Sequence, residues 1–527
     1  MPSTDRFLPL TPFRYLCAGL LALSGSCGDE SLGDGTSDAT SREPTPGDGD
    51  GDGDGDGDGD GDGDGDGDGD GDGDGDGDGD GDGDGDTSAA ATIESGDSST
   101  GDSSLSELDL ALAELLAELE VPVEPLDPPA AEDPNLVALG KALFFDPILS
   151  GNKDIACATC HHPSFASSDG LSLTLGTGAT GVGPARADND HRGLLPRHSQ
   201  SLFNLGDPRF TRMFWDGRVE LLADDTLVTP AGDQLLPGVS GPLAAQAMFP
   251  VLDRGEMRGN IGDRTVLDEP NELADVDDAD FRGIWAAIFA RIVAIEDYAD
   301  LLEAAFPDRP LEELTFADAA NAIGAYESEA FSFPDTPWDA YLRGDLDALS
   351  DESKEAAAFF FGSNCRDCHS GALLTDNEFH GTAIPQIGPG KSDDGAYDYG
   401  REHATGNQND RYAFRTPSLR GVMLSAPYMH NGSLIDFDDI VNHYSHPKET
   451  IVDFDPGKLH SELQDTVQQT DEHVVEIFES MSPVLLHHGS APGIASLTAF
   501  FDALTDPAML DLPAERPDTV PSGLAVP

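Results

Sequence analysis

Apolar residues recur at helical spacing in six stretches of the chain, and they alternate at strand spacing almost nowhere. Residues three and four apart lie on one face of an α-helix, so each stretch predicts a helix with one buried side. The second stretch stops at Asp146-Pro147, where proline forbids continuation. The pattern predicts a mostly α-helical fold. The predicted helices are Leu105–Glu120, Asn135–Phe145, Phe281–Phe306, Thr315–Phe331, Ser350–Phe361 and Gly493–Thr505.

The N-terminal residues 1–26 contain one short apolar run, Tyr15–Leu23, which follows two arginines. The run is too short to anchor a chain across a bilayer, and the pattern is typical of an export signal. Ser24-Gly25-Ser26-Cys27 resembles a lipoprotein signal, in which Cys27 would be lipidated and attach the protein to a membrane. Simple cleavage and an unprocessed start remain open, because an apolar residue is expected at the position of Ser24.

Residues 27–104 consist mainly of Gly, Asp, Ser and Thr, and strict Gly-Asp repeats run from Gly47 to Asp86. A segment without apolar residues cannot build a core, so we predict a disordered tether. A calcium-binding β-roll is disfavoured, because such repeats need a periodic apolar residue. The folded part is expected from residue 105 to about 510, with a proline-rich flexible tail at 511–527.

The formal net charge is −73, and the residues outside the Gly-Asp repeats still carry −53. So acidic a chain will not bind nucleic acid or an anionic membrane surface through charge. The charge favours a basic protein partner, such as a small basic electron carrier.

Two Cys-x-x-Cys-His sequences, 157–161 and 365–369, use four of the six cysteines. Their spacing is typical of covalent haem c attachment: both thiols (Cys157 and Cys160, Cys365 and Cys368) bind the porphyrin, and the histidine binds iron. A zinc site or two disulfides would use the same cysteines, but neither explains a histidine after each pair. We predict two covalent haem c groups and, because bacteria attach them outside the cytoplasmic membrane, an exported, periplasmic protein.

Several separate stretches resemble the bacterial di-haem cytochrome c peroxidases and their MauG-type relatives. The resemblance implies two cytochrome-c-like haem domains packed about a shared interface, here residues 105–345 and 346–510. It further implies reduction of hydrogen peroxide to water with electrons from a small cytochrome or copper protein, and a homodimer. Besides the two haem motifs, the matching stretches are LGKALFFDPILSG (139–151), MFWDGR (213–218), GEMRG (255–259) and FRTPSLRGVMLSAPYMHNGS (414–433).

By this resemblance, the first haem, with His161 as proximal iron ligand, is the peroxidatic one, and Glu256 is its acid–base residue. In the family's peroxidases a second histidine closes this haem at rest, and Thr177 stands at that place here. An open, five-coordinate iron is therefore expected. His191 and His198 are the nearest alternatives for a sixth ligand.

The second haem, with His369 as proximal ligand, is by the same resemblance the electron-transfer haem. MauG-type enzymes place a tyrosine on its other face, and Tyr444 occupies the equivalent position here. The family's peroxidases use a methionine instead, which raises the reduction potential. Met429 and His443 therefore remain alternatives. Trp215 matches the tryptophan between the two haems and is expected to relay electrons.

The family also binds one calcium ion between the domains. Its backbone ligands correspond to Ser425 and Pro427, and its asparagine ligand corresponds to His198. Imidazole is a poor calcium ligand, so calcium binding stays open, with Asn204 as a nearby replacement.

Three functions thus remain. They are a peroxidase, which is preferred, a MauG-like enzyme that oxidises Trp or Tyr of a partner protein, and a tethered electron carrier with two saturated haems.

Overall fold

The computed structural model describes residues 105–188, 193–392, 395–468, 470–487 and 494–527. The predicted export signal, Cys27, the Gly-Asp tether and His191 lie outside these residues. Helices dominate the described fold, which confirms the mostly α prediction. The α-helices are α1 (Glu107–Glu118), α2 (Pro134–Phe145), α3 (Cys157–Cys160), α4 (Pro242–Gln246), α5 (Phe281–Val293), α6 (Glu296–Ala305), α7 (Phe316–Ala330), α8 (Pro337–Leu342), α9 (Asp351–Gly362), α10 (Glu402–Thr405), α11 (Phe437–Ser445), α12 (Pro447–Val452), α13 (Asp471–Glu479) and α14 (Ile494–Asp502).

Five predicted helices occur as single elements, namely α1, α2, α7, α9 and α14, with ends near those expected. The prediction of one helix over Phe281–Phe306 was wrong, because the chain divides there into α5 and α6. Ile295 adopts an extended backbone, and Glu296 and Asp297 then open the new helix. Acidic side chains in a first turn favour a helix start through the helix dipole, a signal that apolar spacing does not carry.

Two small antiparallel sheets were not predicted from the sequence. β1 (Arg212–Met213), β2 (Val219–Leu221) and β3 (Leu227–Val228) form one sheet in that order. β4 (Phe379–Gly381) pairs with β5 (Ala413–Arg415) in the other. Strands of two or three residues are too short to show alternation. The turn between β1 and β2 carries Trp215.

A first hydrophobic core lies around α2, α5, α6 and α7, and the thiols Cys157 and Cys160 pack at its edge. α2 and α7 approach closely at Gly140. A Cβ atom there would lie 1.8 Å from the carbonyl oxygen of Ala322, so glycine is required. The first haem motif thus packs against the same core as this close helix pair.

A second core lies around α1, α8, α9 and α14, and Cys365 packs at its edge. The sequence analysis assigned α1 to the first domain, but its Leu112 is buried here. Asp109 of α1 accepts hydrogen bonds from Tyr341 Oη (3.0 Å) and forms an ion pair with Lys354 of α9 (2.8 Å). The N-terminal helix therefore crosses to the core of the second motif.

The C-terminal residues 511–527, predicted to be a flexible tail, pack onto the first core. Leu512 is 3% exposed and Val520 6% exposed. Ser522 Oγ donates to Asp146 Oδ1 (2.6 Å), and Asp146 is itself fully buried. The prediction was wrong because scattered apolar residues among prolines show no period, and their partners come from distant parts of the chain.

Within the described ranges, no helix has the length and apolarity needed to cross a bilayer.

Candidate haem sites

The first motif occupies the short helix α3, with His161 directly after it. His161 Nδ1 lies 3.0 Å from the carbonyl oxygen of Ser167, which has a left-handed backbone (φ 54°). A hydrogen bond donated by the Nδ1–H to this carbonyl leaves the Nε2 lone pair available to iron.

The second motif repeats the arrangement. His369 Nδ1 lies 3.0 Å from the carbonyl oxygen of Leu374, whose φ is 51°. In both motifs one left-handed residue turns its carbonyl toward the ring. The histidines therefore fit haem ligation, with a carbonyl as the outer partner of each.

The cysteines do not fit the zinc or disulfide alternatives. All four motif cysteines are free thiols. Burial raises the pKa of the Cys157 thiol to about 12, with the carboxylates of Glu327 and Glu256 adding to the effect. Among the described residues, only Cys368, Asp376 and His380 gather as three metal-binding side chains, so the four cysteines form no common site.

A cavity of 460 Å³ opens beside the second motif. His369, Tyr444 and Met429 all line it, so two of the three sequence candidates for the second ligand, Tyr444 and Met429, face the same space. Burial, with Cys368 and Cys365 nearby, raises the pKa of the Tyr444 phenol. His443 is not among the residues that line the cavity, and its Nε2 lies 2.6 Å from the Thr382 carbonyl oxygen.

Arg415 lines this cavity and was missed by the sequence analysis. Its guanidinium is buried, donates to Gln200 Oε1 (3.0 Å) and the Phe214 carbonyl (3.1 Å), and has no carboxylate partner among the described residues. Burial lowers its pKa to about 10. A buried cation without an anion fits a haem, whose two propionate carboxylates need cationic or hydrogen-bonding partners.

Glu256 lies in a π-helical turn, Arg254–Arg258, and its N–H donates to Asp253 Oδ1 (2.9 Å). Single π-helical turns are rare and often occur at functional sites. Burial raises the pKa of Glu256 to about 7, the Asp253 carboxylate adds to this, and Arg218 and Lys391 oppose it. A carboxyl with a pKa near 7 can both take up and release a proton at neutral pH.

The Glu256 carboxylate also raises the pKa of both first-motif thiols, Cys157 and Cys160, which places it close to that motif.

The loop around Thr177, where the family's peroxidases carry a histidine, packs against the Glu256 turn. Thr177 N donates to the Glu256 carbonyl (3.0 Å), and Thr177 Oγ1 donates to Asp154 Oδ1 (2.8 Å). A Cβ atom on Gly176 would lie 1.9 Å from the Gly255 carbonyl oxygen. The Thr177 side chain is therefore buried against Asp154 and supplies no iron ligand.

His198, the described alternative for a sixth ligand, has both ring nitrogens engaged. Nδ1 lies 2.7 Å from the Leu171 carbonyl oxygen, and Nε2 lies 3.4 Å from Ser168 Oγ. Burial lowers its pKa to about 4, so the ring is neutral. Binding an iron would require breaking these contacts.

Trp215 lines the 460 Å³ cavity and a neighbouring cavity of 90 Å³. Its Nε1 donates to the His198 carbonyl (2.9 Å). The next residue, Ser199, donates through Oγ to the Cys160 carbonyl (2.7 Å) and lies 3.3 Å from His161 Nδ1. A short path through two residues thus connects the indole at the second motif with the histidine of the first.

The predicted calcium residues share the smaller cavity. Ser425, Pro427 and His198 all line it. The proposed replacement, Asn204, instead uses its Oδ1 to accept the Phe333 N–H (2.8 Å). Ser425 and Pro427 therefore share a cavity with His198, whereas Asn204 Oδ1 is committed to the backbone of another segment.

The chain is similar to known di-haem peroxidases. The family model of di-haem cytochrome c peroxidases matches residues 134–347. Cytochrome c551 peroxidase of Pseudomonas aeruginosa is 30% identical over 307 residues, which cover 58% of this chain and 69% of that protein. The chain belongs to the di-haem cytochrome c peroxidase family. Membership in this family implies two c-type haems.

Two further similarities concern MauG-type proteins. The methylamine utilization protein MauG of Methylorubrum extorquens is 29% identical over 360 residues, covering 68% of this chain and 80% of that protein. A crystal structure of a MauG-like protein associated with microbial copper homeostasis superimposes with a TM-score of 0.49 and 23% identity. It covers 74% of this chain and 94% of that one.

Proposed function

We propose that the protein is a di-haem peroxidase that reduces hydrogen peroxide to two water molecules, taking up two electrons and two protons. The observation that carries the proposal is Glu256, a carboxyl with a pKa near 7 beside the first haem motif of a family member. The haems would bind peroxide at the first iron and hold and pass on electrons at both. His161 and His369 are the proposed proximal ligands.

Glu256 is the proposed acid–base residue. Its carboxylate takes the proton from one peroxide oxygen, and its carboxylic acid returns that proton to the oxygen that leaves as water. Asp253 and the Thr177 N–H hold the backbone of the turn on both sides of Glu256. These contacts fix the backbone of the turn from which the Glu256 side chain projects.

Trp215 is the proposed electron relay, and Tyr444 the proposed second ligand of the second haem. The hydrogen bond from Trp215 to the His198 carbonyl holds the indole at the wall of the 460 Å³ cavity beside the second motif. Arg415 would hold the propionates of that haem. Calcium, at Ser425 and Pro427, remains part of the proposal at the smaller cavity.

The electron donor is proposed to be a small basic redox protein, because the acidic surface attracts cations. The proposal also includes two haem domains, a periplasmic location, membrane attachment through Cys27 and a homodimer.

A MauG-like oxidation of Trp or Tyr in a partner protein is the second candidate function. Two observations favour it: Thr177 stands where a closing histidine is expected, and Tyr444 lines the 460 Å³ cavity beside the second motif. The two functions differ in the final electron donor and share the peroxide site.

The first test is therefore a visible spectrum of the ferric, haem-loaded protein before and after one equivalent of hydrogen peroxide. A fast spectral change without prior reduction supports an open first haem and a peroxide-reactive enzyme.

A change that appears only after reduction of the second haem would indicate a closed resting site. No change in either state would contradict both enzyme functions and leave the electron carrier.

The Glu256→Gln variant tests the acid–base role. It is expected to keep both haems and to react with peroxide about 10²-fold more slowly, because an amide cannot take up the proton. Glu303→Gln, on the exposed face of α6, is the matched control and should react like the parent protein. Stopped-flow absorbance measures both rates, and an unchanged rate in Glu256→Gln would remove this residue from the mechanism.

A further inference from the structure

A buried cluster of three charged side chains lies beside Trp215, and we call it the Arg197 cluster. Arg197 donates to Asp398 through Nε (2.6 Å) and Nη2 (2.9 Å), and to Asp216 through Nη1 (2.7 Å). The three side chains are at most 9% exposed. Asp216 follows Trp215, and Arg197 precedes His198, whose carbonyl accepts the indole N–H. The cluster thus joins the relay turn to a segment of the second half of the chain.

Two more cations face this cluster. Arg218 Nη1 donates to both carboxylate oxygens of Asp216 (3.2 Å each), and Lys391 Nζ lies 4.0 Å from Asp216 Oδ2. The backbone of Lys391 is held by donation from its N–H to the Tyr397 carbonyl (2.8 Å). The Lys391 side chain is 31% exposed, so its ammonium reaches the cluster on one side and water on the other.

The cluster adjoins the Glu256 turn. Leu195, two residues before Arg197, has its Cδ2 atom 3.4 Å from the position of a Cβ on Gly255. The charges of Arg218 and Lys391 act on Glu256 and lower its pKa against the effects of burial and of Asp253. Lys391, although it belongs to the second half of the chain, is therefore part of the electrostatic surroundings of Glu256.

Lys391 is also the cation of this group that can lose its charge near neutral pH. Burial, with the positive charges of Arg197 and Arg218, lowers its pKa to about 8, and Asp216 and Asp398 oppose the shift. His403 Nε2 lies 3.6 Å from Asp398 Oδ1. Asp393 and Asp394 follow Lys391 in the chain and lie outside the described residues.

We propose that Lys391 is a positioning residue for the proton transfer of Glu256. Held against Asp216, its ammonium favours the carboxylate form of Glu256, the form that takes the proton from peroxide. This inference rests on the proposed function and extends it, because it makes a residue of the second half of the chain set the pH range in which the first haem reacts.

The test compares the haem-loaded parent protein with its Lys391→Met and Lys391→Arg variants. The first readout is infrared: the band of the protonated Glu256 carboxyl, identified by its loss in Glu256→Gln, is followed against pH. The second is the pH dependence of the reaction with peroxide, which should rise as Glu256 loses its proton. Loss of the Lys391 charge should move both midpoints upward by about half a pH unit or more.

Lys391→Arg keeps the positive charge and should keep the parent midpoints. Above pH 8, where the lysine itself loses its proton and the arginine does not, Lys391→Arg should retain the behaviour of the charged site while the parent protein loses it. Lys391→Gln serves as a second neutral variant if Lys391→Met loses haem or fails to fold. Equal midpoints in the parent, neutral and arginine proteins would overturn the inference.

The result also separates this inference from the proposed function. Slow peroxide reaction in Glu256→Gln together with unchanged midpoints in both neutral Lys391 variants would overturn only the role of Lys391. Unchanged peroxide reaction in Glu256→Gln would overturn the proposed role of Glu256 and this inference with it.

Discussion

Tyr444 and Met429 line the same cavity opposite one histidine motif, and the chemical difference between their side chains is large. A phenolate is a hard anion that stabilises oxidised iron, and a thioether is a soft neutral ligand that stabilises reduced iron. Which of the two binds is therefore a statement about the reduction potential of the second haem. The structure brings both within reach and directs His443 elsewhere.

Tyr444→Phe removes the phenol oxygen and keeps the ring. If Tyr444 is the ligand, the reduction potential of the second haem should rise on the order of 100 mV, because ferric iron loses an anionic partner. Met429→Leu is the matched control and should leave the potential near that of the parent protein. A spectroscopic redox titration measures both, and a shift confined to Met429→Leu would assign the methionine instead.

At the scale of single residues, the sequence analysis found those with a chemical signature. Glu256, Trp215 and Tyr444 stand in motifs that resemble a family, and the structure places each beside a haem motif or in its cavity, where their roles remain predictions. Arg415 and Lys391 were missed, because in a sequence a single arginine or lysine looks like any surface cation. Their burial and partners arise only when distant segments meet.

At the scale of elements, α2 and α7 approach each other closely within the first core. The backbone of Gly140 touches the Ala322 carbonyl with no room for a methyl group. Helix packing this close depends on one glycine, because larger side chains hold helix axes further apart. α2 also leads into the loop and short helix that carry the first motif.

Gly140→Ala should lower the free energy of unfolding by about 3 kcal/mol, the upper range for overpacking a well-filled core, despite the better helix propensity of alanine. Gly362→Ala, at the end of α9, is the control: the nearest atom to its Cβ is 3.9 Å away, so no loss is expected. Guanidinium unfolding followed by circular dichroism gives both values. Equal midpoints would show that α2 and α7 can separate without loss.

Long amphipathic helices were predictable from the sequence, because their period is local. Short elements were not: β1 to β5 hold two or three residues each, and Ile295 interrupts a continuous apolar pattern. Such interruptions depend on helix-start signals and on the neighbours against which the chain packs.

At the scale of the whole molecule, one buried ion pair connects three distant segments. Arg420 donates to Asp339 through Nη1 (2.6 Å) and Nη2 (2.8 Å), and both side chains are fully buried. Asp339, at the start of α8, also accepts the Leu126 N–H (2.7 Å). Hydrogen bonds and the Arg420 charge, acting against burial, hold the pKa of Asp339 below its usual range.

Arg420→Met should lower the free energy of unfolding at pH 7 by about 3–5 kcal/mol, since it leaves the Asp339 carboxylate buried and uncompensated. Arg264→Met, which breaks an exposed pair with Asp268, should cause no measurable change. Because the folded-state pKa of Asp339 is lowered, its contribution is present above the unfolded-state pKa and is lost as the pH falls through the folded-state value. The parent and Arg420→Met stabilities should therefore converge in acid, and a constant difference would contradict this account.

The packing of the two terminal segments of the described chain could not be predicted from the sequence. α1 packs with α9 on the second core, and residues 511–527 pack on the first. Domain limits drawn along the sequence therefore do not coincide with the packing. Chain order says little about which core will take up a terminal segment.

Read alone, the sequence was enough for the haem attachment motifs, the mostly helical class and the family, because these depend on adjacent residues, local periods and motif order. It was not enough for the pKa of Glu256, the link from Trp215 to His161, or the place of Lys391 beside Asp216. Those depend on burial and on distances through space, and segments far apart in the chain acquire both only when the molecule folds.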